Sequence, residues 1–221
     1  MEYSDDTAVH LHSLSMKPNG NKNEIYNKWA DTYDSYVKSF EYCGPYELVK
    51  LINMHHFFDN KSEISILDFG CGTGLLGKEF NNRNLDNCKL NMTGVDISEN
   101  MISKCSERNI YKNLVCRDIL NDKDAKDILN NLNTKEEFDL LISCGVFLEG
   151  HVSLWEVNKI LINLVKEHGG ILAFTVRNTF LEESPKFFMS LLDNSRIRII
   201  SKVKIAYLKG VDAWAIILKR I

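Results

Sequence analysis

The chain has 221 residues, 44% of them hydrophobic, and a formal net charge of -3. This length is typical of one domain with a buried core, and a slightly negative chain lacks the positive field that attracts nucleic acids or anionic membranes. No apolar run approaches the ~20 residues that span a bilayer. We therefore expect neither nucleic acid nor a membrane as partner, and a cytoplasmic protein, or a nuclear one.

The six cysteines are scattered without any C-x-x-C spacing. We interpret them as reduced side chains, because zinc sites and disulfide frameworks need regular spacings or an oxidising compartment. No metal site is predicted.

The beginning of the chain divides into a polar segment and an aromatic one. Residues 1–22 are polar and aperiodic, which predicts a disordered tail. Five residues then recur at the spacing of one helical face: Ile25, Trp29, Tyr33, Tyr36 and Phe40. Pro45 is well placed to begin a second helix. We predict that residues 23–60 form a helical lid in which Tyr33 closes over a ligand.

From Ile64 onward, short apolar runs alternate with helical or polar segments. The runs are 64–69, 90–96, 113–117, 138–144 and 170–176. This alternation is typical of βαβ units, and runs that are apolar at nearly every position are typical of parallel strands covered on both faces. Runs 196–207 and 211–221 are too close for a helical crossover, so they predict an antiparallel hairpin.

The first run ends in Asp68 and leads into a glycine-rich bend with the sequence FGCGTG. Because glycine has no Cβ, such a bend lets the backbone approach a ligand closely. Ligands of open α/β sheets bind beyond the carboxyl ends of the strands. Asp96 ends the second run, where an acidic side chain can accept both hydroxyls of a ribose. These features predict a nucleoside ligand.

Segment 72–77 also fits G-x-G-x-x-G, so an NAD(P)-dependent oxidoreductase remains an alternative. Two points favour S-adenosylmethionine. The strand ends at Phe69, which places Gly77 inside the next helix and not in the bend. Asp68 would repel a pyrophosphate but attract the ammonium and sulfonium groups of S-adenosylmethionine. Asp118, after the third run, is suited to accept from the adenine amino group.

Two residues after the fourth run, Glu149 and His151, are the candidates for taking a proton from a methyl acceptor, since histidine titrates near neutrality. The alternative for His151 is a loop histidine that packs on Trp155 or caps the next helix. Arg177 follows the fifth run. It could hold a substrate carboxylate, or it could form a surface ion pair.

Five segments resemble the class I S-adenosylmethionine-dependent methyltransferases over about residues 24–221: LDFGCGTG, GVDIS, CRDI, FDLLISCGVF and GGILAFTV. More narrowly, the chain is similar to the methyltransferase-like proteins of the Williams–Beuren chromosomal region type, in a Y-x-x-W-A-x-x-Y-D pattern at 26–34 and in segment 145–152. The resemblance implies an α/β fold. Its seven-strand, mostly parallel, Rossmann-like sheet would have the order 3-2-1-4-5-7-6, an antiparallel last strand and helices on both faces, within a domain at 61–221.

The resemblance and the residue pattern together predict S-adenosyl-L-methionine as cofactor. The predicted cofactor-binding residues are Tyr33, Asp68, Gly70, Cys71, Gly72, Thr73, Gly74, Asp96, Ile97, Asp118, Ile119, Cys144 and Gly145. The predicted function is methyl transfer to an oxygen or nitrogen of a small molecule or protein. A non-catalytic interaction protein that keeps the methyltransferase fold is a further alternative.

Overall fold

The computed structural model describes residues 5–17, 20–82, 88–134, 136–148, 151–182 and 185–221. Its centre is a seven-stranded sheet in the order β3-β2-β1-β4-β5-β7-β6. The strands are β1 (Glu63–Phe69), β2 (Lys89–Asp96), β3 (Asn113–Cys116), β4 (Leu140–Phe147), β5 (Ile171–Arg177), β6 (Ile197–Leu208) and β7 (Val211–Arg220). β7 is antiparallel to both of its neighbours, and the other pairs are parallel. The predicted fold class, strand order and terminal hairpin are confirmed.

Helices cover both faces of this sheet. They are α1 (Asp5–Ser15), α2 (Lys22–Ser39), α3 (Gly44–Met54), α4 (Leu75–Asn82), α5 (Glu99–Ser106), α6 (Ala125–Asn131), α7 (Trp155–Lys159), α8 (Asn178–Glu182) and α9 (Pro185–Asp193). Ile66 and Leu67 are consecutive in β1 and belong to different apolar cores, because successive strand residues face opposite sides of a sheet. Among the described helices, none combines the length and hydropathy needed to cross a bilayer.

The prediction of a disordered tail is wrong for residues 5–15, which form α1. Leu11 of this helix is only 7% exposed and shares an apolar cluster with Ile25 and Trp29 of α2. The apolar stripe of α1 is narrow and is buried only through contact with α2. A local reading of the sequence therefore misses it, since helices this short are stabilised by tertiary packing and not by propensity.

The two helices of the predicted lid have different surroundings. α3 begins with Pro45 in its first turn, as predicted, and buries Leu48 and Ile52 against the sheet. α2 instead brings Tyr26 and Tyr33 to a cavity beyond the ends of the strands. Only α2 is placed where a lid would lie, and α3 belongs to the layer that covers the sheet.

Candidate active site

The glycine-rich bend joins β1 to α4 through backbone conformations that favour glycine. Gly70, Gly72 and Gly74 have φ values of 70°, 52° and 84°, in the region where a Cβ is strained. A Cβ on Gly70 would also lie 2.3 Å from Cγ2 of Val146, whereas one on Gly72 would meet nothing within 4 Å. Gly70 thus permits the bend to lie against β4, and Gly72 leaves bare backbone at an open space.

Asp96, at the end of β2, fastens this bend. Its Oδ2 accepts a hydrogen bond from the Gly72 N–H at 2.9 Å, and its Oδ1 accepts one from the Ser98 N–H at 2.9 Å. Burial raises the pKa of Asp96. A carboxylate has about four acceptor positions. Asp96 can therefore hold the bend against the start of α5 and still accept hydrogen bonds from a ligand.

A first cavity of about 380 Å³ lies beyond the ends of β1, β2 and β4, a volume in the range of small-molecule sites. The predicted residues that line it are Tyr33, Gly70, Gly72, Asp96, Ile97, Asp118, Ile119, Cys144, Gly145 and His151. Two cations also line it, but Lys22 donates to the Ser15 carbonyl and Arg117 pairs with Asp122. The hydrogen bond to a carbonyl leaves the charge of Lys22 in place, and Glu156, a third carboxylate in the wall, pairs with Lys159. Asp96 and Asp118 together therefore outweigh Lys22, and the cavity is negatively charged.

Four predicted cofactor residues do not line the first cavity: Asp68, Cys71, Thr73 and Gly74. Asp68 is fully buried and accepts a hydrogen bond from Oη of Tyr111 at 2.6 Å, while its Oδ1 has no partner among the described residues. Burial raises the pKa of Asp68 to about 7. Below the bend, a Cβ on Gly74 would lie 2.8 Å from Sγ of Cys105. Asp68 and Gly74 thus contact Tyr111 and Cys105 on the side of the bend away from the first cavity, whereas Thr73 bonds to Asp34 of α2.

The two predicted catalytic residues have different outcomes. Glu149 lies outside the described residues. His151 lines the first cavity, and its Nε2 is 2.7 Å from Oη of Tyr26. The ring of Trp155 meets the edge of Phe187. Tyr26 belongs to the Y-x-x-W-A-x-x-Y-D pattern but was not predicted as a site residue. Its spacing of seven residues from Tyr33 puts both side chains on one face of the helix, and this spacing could have identified it.

Two polar residues fasten α2 to the site. Oδ1 of Asn27 accepts hydrogen bonds from Ser98 Oγ at 2.8 Å and from the Asn100 N–H at 3.0 Å. About two turns later, the Asp34 carboxylate accepts a hydrogen bond from Thr73 Oγ1 at 2.6 Å and pairs with Arg108. α2 is therefore held to the start of α5 and to the glycine bend.

A second cavity of about 340 Å³ adjoins the first. Tyr26, Tyr33 and Gly145 line both. The second cavity is otherwise largely aromatic, with Trp29, Tyr36, Phe40, Tyr42 and Tyr207 in its walls. Arg177, at the end of β5, lines it as well and makes no hydrogen bond or ion pair with any other residue of the described chain. A surface ion pair for Arg177, one of the two sequence interpretations, is thus not observed within that part.

A family model described as a methyltransferase domain matches residues 60–203. The chain belongs to this methyltransferase family. It is 30% identical over 166 residues to a malonyl-[acyl-carrier protein] O-methyltransferase of Priestia megaterium, across 72% of this chain and 52% of that protein. The chain spans about half the length of the curated relatives that it matches.

Solved methyltransferases share the fold of this protein. An S-adenosylmethionine-dependent methyltransferase from Clostridium acetobutylicum superposes with a TM-score of 0.58 at 16% identity, covering 88% of this chain and 98% of that one. The plantazolicin methyltransferase BpumL, solved with a pentazolic desmethylPZN analog and SAH, gives 0.62 at 15% identity, covering 99% and 100%. The family match confirms the predicted methyltransferase family, and the solved neighbours share the predicted fold.

Proposed function

We propose that the protein transfers a methyl group from S-adenosyl-L-methionine, bound in the first cavity, to an acceptor bound in the second. One observation carries this proposal: two cavities of small-molecule size meet at a shared wall of Tyr26, Tyr33 and Gly145. A methyl donor and an acceptor must approach each other across such a boundary, because displacement at the methyl carbon requires both in line.

The first cavity fits the donor through its backbone and its charge. Gly72 presents bare backbone, Asp96 is placed to accept from the ribose hydroxyls, and the side chains of Asp118 and Ile119 lie where the adenine would be held. S-adenosylmethionine is cationic and has no phosphate, so carboxylates attract it and repel a dinucleotide. Asp68, on which the argument against a pyrophosphate rested, is buried outside this cavity, so the match to a methyltransferase domain is what supports the methyl donor over NAD(P).

When bound, S-adenosylmethionine supplies an electrophilic methyl carbon and leaves as S-adenosylhomocysteine after transfer. The protein's part is to orient the acceptor, exclude water and remove a proton where the acceptor carries one. Tyr26 and Tyr33 supply aromatic faces at the boundary, where a sulfonium is attracted to π-electrons. In this proposal His151, which lines the first cavity and is hydrogen-bonded to Tyr26 in the shared wall, takes a proton from a hydroxyl or amine of the acceptor. Burial raises the pKa of Cys144 to about 12, so its thiol stays protonated.

The acceptor belongs to the small-molecule or protein-linked classes in this proposal. The Priestia megaterium relative is named for a malonyl group on acyl-carrier protein, which is a small group carried by a protein. A narrower likeness to proteins of the Williams–Beuren region type is supported by the aromatic pattern at 26–34, whose Tyr26, Tyr33 and Asp34 line or fasten the two cavities.

The test is a melt followed by a transfer assay. S-adenosylhomocysteine should raise the melting temperature and NADH should not, because only a ligand that binds the native state stabilises it. Transfer of labelled methyl to an acceptor panel should follow. Stabilisation by NADH alone would support the oxidoreductase. Stabilisation by neither ligand would support a non-catalytic interaction protein.

A further inference from the structure

The second cavity has the opposite charge to the first. Its described lining includes no Asp or Glu, but it includes Arg177 and Lys209. Nζ of Lys209 pairs with Glu41 at 3.4 Å. Arg177 is thus the cation of this cavity whose charge no described carboxylate neutralises.

Two N–H donors at this cavity lack acceptors among the described residues. Nε of Arg177 and Nε1 of Trp29 are buried without a hydrogen-bond partner, and both residues line the second cavity. Buried donors are nearly always paired in folded proteins, because leaving one unpaired costs roughly 1–3 kcal/mol. The partner that the described residues do not supply must come from water or from a ligand in the second cavity.

The charge of Arg177 acts within the cavity and not only at its rim. Burial and then this charge lower the pKa of His12, and the same charge opposes the rise that burial causes in the pKa of Tyr36 and Tyr207. All three side chains line the second cavity. His12, hydrogen-bonded to Tyr36 Oη at 2.9 Å, is thereby kept neutral and does not add a second positive charge.

Resting on the proposed function, we propose that the methyl acceptor is a carboxylic acid with an aromatic or otherwise apolar body. Its carboxylate binds the Arg177 guanidinium, and its body lies among the aromatic side chains of the second cavity, with a separate hydroxyl or amine toward Tyr26 and Tyr33. That oxygen or nitrogen forms the new bond to the methyl carbon as the bond from sulfur to methyl breaks, S-adenosylhomocysteine leaves, and the proton of the hydroxyl or amine passes to His151 or to water. A guanidinium matches the planar fork of a carboxylate. One free cation balances one negative charge, so a singly charged carboxylate fits this site better than a phosphate dianion.

The experiment compares acids with their primary amides. The probes are 3-phenylpropanoate, indole-3-acetate and octanoate, titrated calorimetrically into the protein saturated with S-adenosylhomocysteine. For at least one pair, the acid should bind at least ~10-fold more tightly than its amide, since hydrogen bonds between charged groups are about twice as strong as neutral ones. Arg177→Gln should reduce this preference to within about threefold.

Arg198→Gln is the matched control, because Arg198 is an exposed arginine of β6. It should leave the preference for acids unchanged. Arg177→Lys keeps the charge without the fork, and should keep a weaker preference for acids. This second variant keeps the comparison possible if Arg177→Gln does not fold.

Several results would overturn the assignment of Arg177. One is that acids and amides bind with equal affinity, and another is that the preference for acids survives in Arg177→Gln. A third is that protein which binds S-adenosylhomocysteine binds none of the acids at millimolar concentration. The affinity for S-adenosylhomocysteine is measured separately in each variant. If the wild-type protein does not bind S-adenosylhomocysteine, the donor site of the proposed function is refuted, whereas the acceptor class is not.

Discussion

The two cavities are built from different kinds of sequence. The first is formed by a contiguous bend and by the ends of neighbouring parallel strands, so backbone and carboxylates define it. The second is formed by side chains of α1, α2, β5 and the β6–β7 hairpin, which are far apart along the chain. The proposed donor site thus follows from the fold itself, whereas helix α2, with its aromatic face, shapes the proposed acceptor site.

The sharpest way to break this comparison is to add one methyl group to the bend. Gly70→Ala should lower the free energy of unfolding by about 2–4 kcal/mol and weaken the binding of S-adenosylhomocysteine. The reason is that alanine is strained at the φ of this position and that its Cβ would overlap Val146. Urea unfolding measures the first effect and calorimetry the second.

Gly210→Ala is the control for strain alone. Gly210 has a φ of 73°, but its Cβ would meet nothing within 4 Å, so the loss should be about 1 kcal/mol with unchanged ligand affinity. Equal losses in the two variants would show that contact with β4 does not shape the bend.

A second change tests the charge of the first cavity. Asp96→Asn should lower the affinity for S-adenosylhomocysteine by ~10- to 150-fold, which corresponds to the loss of charged hydrogen bonds worth about 1.5–3 kcal/mol. The amide oxygen can also no longer serve both the Gly72 and Ser98 N–H groups. Asp118→Asn should have a smaller effect, because Asp118 is exposed and also caps the turn at Leu120. An affinity within about threefold of wild type for Asp96→Asn would contradict the ribose assignment.

The sequence was sufficient for the first cavity because local rules determine it. Strand periodicity places Asp96 and Asp118 at strand ends, parallel pairing brings those ends to one edge, and positive φ values require the glycines of the bend. What periodicity could not show was the direction of the Asp68 side chain relative to the bend. Asp68 lies beneath it with Tyr111, from another strand connection.

The second cavity could not be predicted in the same way. The sequence singles out Arg177 as a residue after a strand and Trp29 as part of an aromatic helical face, but only the tertiary fold brings these two side chains together with Tyr207. α1 was not predicted for the same reason, since its apolar side chains are buried in the folded protein by contact with α2. Side chains that converge from distant segments leave no local pattern, so sequence reasoning predicted the donor and left the acceptor open.

A third prediction separates buried carboxylates that support the first cavity from those that line it. The pKa of Asp68 is raised to about 7, above the ~3.9 of an unfolded chain. Between about pH 4 and 7, folding therefore takes up a proton, and stability falls as pH rises by up to ~1.4 kcal/mol per unit. Asp68→Asn should remove this part of the slope.

Urea unfolding from pH 4 to 8 measures the difference between Asp68→Asn and wild type, with the exposed Asp193→Asn as control. Above pH 7 the two curves should run parallel, because Asp68 then has the same charge in the folded and unfolded chain. Parallel curves throughout the range would show that Asp68 is ionised at its buried position beside Tyr111.

The smallest expected effect is at the wall that the two cavities share. Tyr26→Phe removes the 2.7 Å contact with His151 and should lower turnover by about 2- to 10-fold, which corresponds to one hydrogen bond of about 0.5–1.5 kcal/mol. Affinity for S-adenosylhomocysteine should stay the same, since the ring remains in place. His151→Ala should also lower turnover with little change in cofactor binding.

A double-mutant cycle decides whether these two residues act as one unit. If Tyr26 positions His151 for proton removal, Tyr26→Phe should cost little in a His151→Ala background, giving a coupling energy close to the whole single-mutant effect. The coupling should also depend on the acceptor, because an ionised carboxylate has no proton to give, whereas a hydroxyl or amine has. Additive losses with every acceptor would mean that Tyr26 only shapes the wall and that His151 works without it.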